Sequence, residues 1–196
     1  MRYWNVLFLA VFAGNLDAGY RIEVVVCNFA SLPEYEITTA EAAAAFAFHT
    51  IPAEVTWLDC ATPSPKSEEG RALRFLVRLR RDAPRYYLRE VSLHTMGRAY
   101  LSDSGEGYIA DIYRPAVEAL AQLRVANESS LIGYTMAHEL GHLLIGPGHA
   151  ARGIMSADWG PLEMSRIAKR WLEFDLRDRT AIRRRLEGQG GNFAAE

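Results

Sequence analysis

Residues 138–149 read HELGHLLIGPGH, and this stretch decides how the rest of the chain is interpreted. On a helix, residues four apart lie on one face one turn apart, so the rings of His138 and His142 can reach a common point. Glu139 lies beside that face. The chain has five histidines, and three of them fall between positions 138 and 149. The spacing therefore predicts a helix that carries a metal site.

The end of this stretch supplies a third candidate ligand. A Gly-Pro-Gly turn at residues 146–148 ends the helix, and glycine tolerates the positive φ that would bring His149 back under the metal. Three protein ligands leave one position open for water, which is typical of a catalytic zinc site. Zinc lowers the pKa of bound water from ~15.7 towards ~7, and Glu139 can take its proton. We therefore predict one Zn²⁺ ion held by three histidines, with Glu139 as the general base.

The same residues resemble the zinc motif of the metzincin metallopeptidases, HExxHxxGxxH. Residues 153–155, Gly-Ile-Met, are similar to the Met-turn of that family, in which a methionine (here Met155) packs beneath the zinc ligands. The motif resemblance covers residues 138–155, and it is greatest to the small secreted bacterial metzincin-like proteins. It implies an N-terminal subdomain with a twisted sheet and two long helices, the second of which carries the motif.

The motif departs from the family pattern by one residue. The family places its glycine three positions and its last histidine six positions after the second histidine, whereas Gly146 and His149 lie four and seven positions after it. A longer last helical turn can absorb the extra residue, or the insertion can displace His149. Asp158 or Glu163 would then be the third ligand, and Glu163, on the final helix, would resemble the arrangement of the gluzincin peptidases.

The resemblance also suggests where a substrate binds. The segment after the Met-turn, with Asp158 and Trp159, would line the pocket for the substrate residue after the scissile bond, although Trp159 fits a core position equally well. Extended peptides usually dock against an exposed strand edge. By resemblance to the antiparallel strand of the family, residues 108–113 are the expected edge.

Strand, helix and strand follow one another near the start of the chain, at residues 21–28, 38–49 and 55–60. The helix is expected to begin at a capping box formed by Thr38 and Glu41. This order is a βαβ unit, so the two strands are expected to be parallel. Cys27 and Cys60 then lie at the same ends of neighbouring strands, and we expect a disulfide between them. The rival interpretation is a cysteine thiolate that caps the zinc.

The remaining periodicities complete the predicted fold. Strands are expected at residues 74–80 and 108–113, and helices at 115–125, 131–145 and 163–186, the last broken near residue 174. The prediction is an α/β (α+β), metzincin-like fold. It has a twisted, mostly parallel sheet with a βαβ start, two main helices and a C-terminal helical subdomain.

The composition of the chain constrains its number of domains, its partners and its location. The 196 residues are 49% hydrophobic, which suits one domain with its own core, and the formal net charge of −2 excludes a typical nucleic-acid partner. We expect residues 1–18 to be a signal peptide and residues 19–196 a single catalytic domain. The apolar run at residues 6–13 is shorter than the ~20 residues of a membrane span, so a membrane partner is expected only if this segment stays uncleaved. These features predict a secreted or periplasmic monomer.

Three functions fit these features. The first is a secreted zinc endopeptidase that acts on a peptide or protein substrate. The second is a zinc-containing binding protein of the same fold that has lost turnover. Glu139 speaks against the second, because a non-catalytic site needs no base there, whereas the one-residue insertion speaks for it. Hydrolysis of a non-peptide amide is also compatible with such a zinc site.

Overall fold

The computed structural model describes residues 20–62, 72–82, 95–123 and 126–190. The signal peptide expected at residues 1–18 lies outside these ranges. Within the described residues, no helix is both long enough and apolar enough to cross a membrane.

Strands and helices alternate along the described chain, and the strands form one sheet. The elements are β1 (Tyr20–Asn28), α1 (Glu34–Ala47), β2 (Ala53–Asp59), β3 (Ala72–Arg80), β4 (Gly97–Tyr100), β5 (Ile109–Tyr113), α2 (Arg114–Leu123), α3 (Glu128–Ile145), α4 (Pro161–Ala168) and α5 (Leu176–Gly190). The strand order is β2-β1-β3-β5-β4. All neighbouring strands are parallel except β4 and β5, which are antiparallel. The predicted mostly parallel sheet is confirmed.

The predicted βαβ start is also confirmed. β1 and β2 pair in parallel with α1 between them in sequence, and the amide of Cys60 donates to the carbonyl of Val26 at 3.1 Å. Cys27 and Cys60 form a disulfide with their Cα atoms 5.1 Å apart. Because both sulfur atoms are used in this bond, neither cysteine offers a thiolate that could cap a metal.

The predicted start of α1 is wrong. The helix begins at Glu34 rather than at the proposed capping box, and the hydroxyl of Thr38 donates to the carbonyl of Glu34 at 3.2 Å, inside the helix. Pro33 precedes the helix with a φ of −59°, which prepares the chain for the first turn. Glu34 and Glu36 then lie in the first turn, where the helix dipole favours negative charge.

The core lies between the sheet and the pair α1 and α3. Small side chains let the two helices approach closely, because a side chain on Gly133 of α3 would overlap the backbone carbonyl of Ala40 in α1. From the sheet, Ile22 and Val24 are fully buried under these helices. Nearly every residue of α3 is buried, so this helix is held on several sides and can present side chains at fixed positions.

The expected edge strand is also corrected. Residues 109–113 form β5, which lies between β3 and β4 and runs parallel to β3, so this strand is not an edge. The antiparallel edge of the described sheet is β4. A short connection joins β4 to β5, which allows antiparallel pairing, and the full burial of Ala110 suits an inner strand.

The last third of the chain is helical, as predicted, but in two pieces. α4 ends at Ala168 and α5 begins at Leu176. The segment between them buries Phe174, and the carboxylate of Asp175 accepts from the amide of Asp178 at 2.9 Å to cap α5. The break predicted near residue 174 is therefore confirmed.

Candidate active site

α3 is the element that presents the motif. Its first turn is capped by Asn127, whose side-chain oxygen accepts from the amide of Ser130 at 2.7 Å. The helix continues to Ile145 and ends at Gly146, which has a φ of 87° and donates its amide to the carbonyl of His142 at 2.8 Å. This positive φ is a conformation that glycine adopts without strain, and it turns the chain back towards the helix face.

The turn brings the three motif histidines together. One ligand nitrogen from each of His138, His142 and His149 lies within 4.8 Å of the others, and among the described residues these three make up the metal-competent group. The ring of His149 lies 5.4 Å from that of His138 and 4.9 Å from that of His142, measured between centroids. The extra residue before Gly146 thus lies in the last turn of α3, and His149 stays beside the helical pair.

The hydrogen-bond partners of His138 and His142 suit a metal ion between the two rings. The Nδ1 atom of His138 lies 2.7 Å from the carbonyl oxygen of Ile154, and that of His142 lies 3.2 Å from the carbonyl oxygen of Gly146. A carbonyl only accepts, so each Nδ1 must carry the single hydrogen of a neutral ring. Both Nε2 atoms then hold lone pairs, yet they face each other at 3.1 Å. Two lone pairs this close repel each other, and a cation bound by both removes the repulsion.

A proton does not suit that role, because burial disfavours a charged ring here. Burial lowers the pKa of His138 to about 4, and it also lowers the pKa of His142. A zinc ion does suit it: two tetrahedral bonds of ~2.0–2.1 Å place their nitrogens about 3.3–3.4 Å apart. The exposed position of His149 leaves the group accessible from solvent. Three neutral imidazoles with one open position are a donor set that suits Zn²⁺.

Glu139 faces the sheet edge beside this group. Its side chain is 5% exposed, and burial raises its pKa to about 8, although the amide of Ala99 donates to the carboxylate and Arg98 lies nearby, both of which favour the charged form. Gly97 of β4 lies directly against the carboxylate. Burial thus makes this carboxyl hold a proton more readily than an exposed glutamate does, which suits a group that takes and returns a proton.

Residues 153–155 form a turn next to the histidine group. The amide of Ala150 donates to the carbonyl of Met155 at 2.8 Å, and the amide of Ile154 donates to the carbonyl of Glu173 at 3.0 Å, so the turn is tied on both sides. Met155 is 1% exposed, and its sulfur packs against Gly141 of α3, where a side chain would overlap it. Met155 therefore packs against α3 at Gly141, the residue before His142.

Comparison with solved structures gives this arrangement a counterpart. An archaemetzincin from Methanopyrus kandleri superposes with a TM-score of 0.51 at 17% identity, over 86% of this chain and 97% of that one. A zinc-dependent peptidase from Methanocorpusculum labreanum superposes with a TM-score of 0.53 at 14% identity, over 81% of this chain and 99% of that one. Metalloproteinase-II from Bacteroides fragilis superposes with a TM-score of 0.52 at 15% identity, over 85% of this chain and 53% of that one. The chain shares the fold of zinc-dependent peptidases.

The likeness to these zinc peptidases is one of fold. No protein-family model matches the sequence, and no curated protein is significantly similar to it. The roles of individual residues in this peptidase fold therefore rest on the geometry of the site.

The remaining sequence candidates lie around the group rather than in it. Trp159 is 8% exposed and meets the ring of His138 edge to face, with 6.0 Å between centroids. Asp158 is exposed, and its backbone carbonyl accepts from the hydroxyl of Ser156 at 2.9 Å. Glu163 accepts from the amide of Gly160 at 3.1 Å and so caps α4. Neither acidic residue belongs to the metal-competent group, and the pocket role of Asp158 and Trp159 stays a prediction.

Sequence reasoning missed the contribution of β4. The sequence of residues 90–101 fits either irregular structure or a strand, and so it marks neither Gly97 nor Ala99 as a site residue. The available signal was Gly97 at the start of a short strand, since a glycine in a strand often marks the close approach of another group. The carbonyl of Ile154 was also missed, because a backbone acceptor leaves no mark in the sequence.

Proposed function

We propose that this protein is a zinc-dependent endopeptidase. The observation that carries the proposal is the close approach of the Nε2 atoms of His138 and His142, which lie 3.1 Å apart with His149 beside them. The shared fold of zinc-dependent peptidases supports it, and so does the position of Glu139 on the same helix. The insertion that favoured an inactive binding protein loses its weight, because His149 stays in the group.

In this proposal each residue has a defined task. His138, His142 and His149 would hold the ion through neutral nitrogens, with two of the rings oriented by backbone carbonyls. A zinc ion bound there supplies a Lewis acid and lowers the pKa of water. Glu139 takes the proton of the attacking water and returns it to the leaving amine. Burial raises the pKa of Glu139, so the carboxyl can hold the proton before it passes to the leaving amine.

The edge strand β4 is the proposed docking site for the substrate. It is the last strand of the described sheet and lies beside Glu139, so a peptide that pairs with it in extended form would pass over the three histidines. The amide of Ala99 already donates to Glu139, which leaves the other outward-facing backbone groups of the strand for the substrate.

We further propose that the protein acts outside the cytoplasm, after removal of residues 1–18. The Cys27–Cys60 disulfide supports this, since structural disulfides form and persist in oxidising compartments. Sequencing the N-terminus of the exported protein tests the cleavage site directly.

Cleavage of a mixed peptide library by the zinc-loaded protein tests the enzymatic proposal. We expect hydrolysis by the wild type and a loss of roughly 10²–10⁴-fold in Glu139→Gln, with one zinc still bound per chain. Glu118→Gln, a change of an exposed glutamate on α2, is the matched control and should cleave like the wild type. Equal cleavage by Glu139→Gln would remove Glu139 from the mechanism. Zinc binding without any cleavage would favour a binding protein.

A further inference from the structure

The contact between Gly97 and Glu139 joins the edge strand to the metal helix. A side chain on Gly97 would place its Cβ 2.6 Å from Oε1, 2.8 Å from Cγ and 3.0 Å from Cδ of Glu139. These distances are shorter than real carbon contacts, so the carboxylate of Glu139 occupies the volume that any other residue at position 97 would fill. The contact involves the end of the side chain, where the proton would be taken.

The pairing of β4 explains why its backbone also reaches Glu139. The amide of Tyr113 donates to the carbonyl of Met96 at 2.7 Å, and the register pairs Gly97 with Ile112. Backbone groups of an antiparallel strand alternate between its two edges, so those of Gly97 and Ala99 point away from β5. The amide of Ala99 is therefore available to donate to Glu139, where such a bond lowers the pKa of the carboxyl against the effect of burial.

The other face of β4 is fixed, so the strand cannot easily retreat. The hydroxyl of Tyr100 donates to the carboxylate of Asp111 at 2.8 Å, and Nε of Arg78 donates to the other oxygen of that carboxylate at 2.5 Å. Asp111 is 2% exposed, and a buried carboxylate with two strong partners is costly to disturb. A clash at position 97 must then be relieved mainly by movement of Glu139.

We propose that Gly97 is the positioning residue of Glu139. The missing side chain at position 97, together with the amide of Ala99, forms a seat that fixes the carboxylate at the sheet edge. This inference rests on the proposed function, in which Glu139 moves the proton. A methyl group at position 97 would push the carboxylate out of the seat while leaving the helical histidines in place, since the carbonyls that orient His138 and His142 belong to Ile154 and Gly146, outside β4.

The test is a double-mutant cycle between the two positions. Gly97→Ala is compared with the wild type, and the same change is made in Glu139→Asp, whose side chain is one methylene shorter and leaves room for the methyl. Three quantities are measured in each variant: kcat on a cleaved peptide, the Kd for Zn²⁺, and the urea midpoint of unfolding. Gly188→Ala is the matched control, because a Cβ there meets nothing within 4 Å.

We expect Gly97→Ala to lower kcat on the order of 10²-fold, since small misplacements of a reacting group cost this much. The Kd for Zn²⁺ should change by less than about 3-fold, a small effect beside the loss of a ligand or its partner. In the Glu139→Asp background, Gly97→Ala should lower both kcat and the urea midpoint far less than it does in the wild type. Such coupling between positions 97 and 139 would not arise if Gly97 had a merely structural role.

An unchanged kcat in Gly97→Ala, or an equal loss in both backgrounds, would overturn the inference. The urea midpoints distinguish failure of this inference from failure of the proposed function. If the wild type cleaves nothing, coupled midpoints would still establish the seat while the peptidase proposal fails. Additive midpoints would overturn the seat itself.

Discussion

His138 and Trp159 donate to the same carbonyl oxygen. Nδ1 of His138 lies 2.7 Å and Nε1 of Trp159 lies 3.3 Å from the oxygen of Ile154, in the Met-turn. A carbonyl has two lone pairs and can accept both bonds. The turn therefore orients a metal-competent histidine and a buried indole together, and the indole ring in turn packs edge to face against that histidine.

This arrangement predicts different outcomes for two substitutions of Trp159. Trp159→Phe keeps most of the apolar contact and loses one hydrogen bond, so we expect the free energy of unfolding to fall by about 1 kcal/mol. Trp159→Ala should lower it by about 3–5 kcal/mol, because it also leaves a cavity beside His138. Urea denaturation measures both changes. Similar losses in the two variants would show that the ring contributes little packing.

The third ligand can be identified by zinc affinity. We expect His149→Ala to weaken Zn²⁺ binding by more than the roughly 10–100-fold that loss of an outer-shell partner costs. Asp158→Ala and Glu163→Ala should leave the affinity nearly unchanged, because neither carboxylate belongs to the histidine group. A competition titration with a chelating dye measures all three. A large loss in Glu163→Ala and none in His149→Ala would restore the gluzincin-like alternative.

Gly141 is expected to be necessary for packing rather than for flexibility. An added methyl would overlap the sulfur of Met155 and come within 3.1 Å of the ring of Phe174. Overpacking costs about 1–3 kcal/mol, whereas alanine gains at most about 1 kcal/mol over glycine in a helix. We therefore expect Gly141→Ala to lower the free energy of unfolding. Gly188→Ala has only the helical gain and should not lower it, so equal effects would contradict this explanation.

Tyr134 is expected to make stability sensitive to alkaline pH. Burial raises its pKa from 10.0 to about 12, and the side chain is fully buried in α3. Because the folded-state pKa lies above the unfolded one, the phenol ionises first in the unfolded chain. Its contribution to stability is full below pH 10 and is lost as the pH rises from 10 towards 12.

The comparison with Tyr134→Phe isolates this effect. Between pH 8.5 and pH 11 the wild type should lose about 1–1.5 kcal/mol more of its free energy of unfolding than the variant does. Urea denaturation at the two pH values gives the difference. Parallel losses in both proteins would mean that Tyr134 does not ionise differently on unfolding.

Local pattern was sufficient where one segment determines its own structure. The spacing of His138 and His142 fixes both rings on one helix face whatever surrounds it, and the Gly-Pro-Gly turn ends the helix through backbone conformation alone. The βαβ start followed in the same way, because two short strands separated by one helix must run parallel. The predicted start of α1 was wrong, because Pro33 and a capping box at Thr38 are competing local signals for a helix start. The helix begins directly after Pro33.

The sequence by itself determined the metal chemistry of this protein: two histidines and a glutamate on one helix, and a third histidine beyond a glycine turn. Only the tertiary structure decided that His149 returns to the group despite the extra residue, and that the carbonyl of Ile154 orients His138. It also decided that β4, not β5, is the edge that holds Glu139. These relations join residues far apart in the chain through backbone atoms and the space left by Gly97 and Gly141. Backbone atoms are common to all residues, and the space beside a glycine depends on which residues pack around it. Neither can therefore be read from the sequence before the chain is folded.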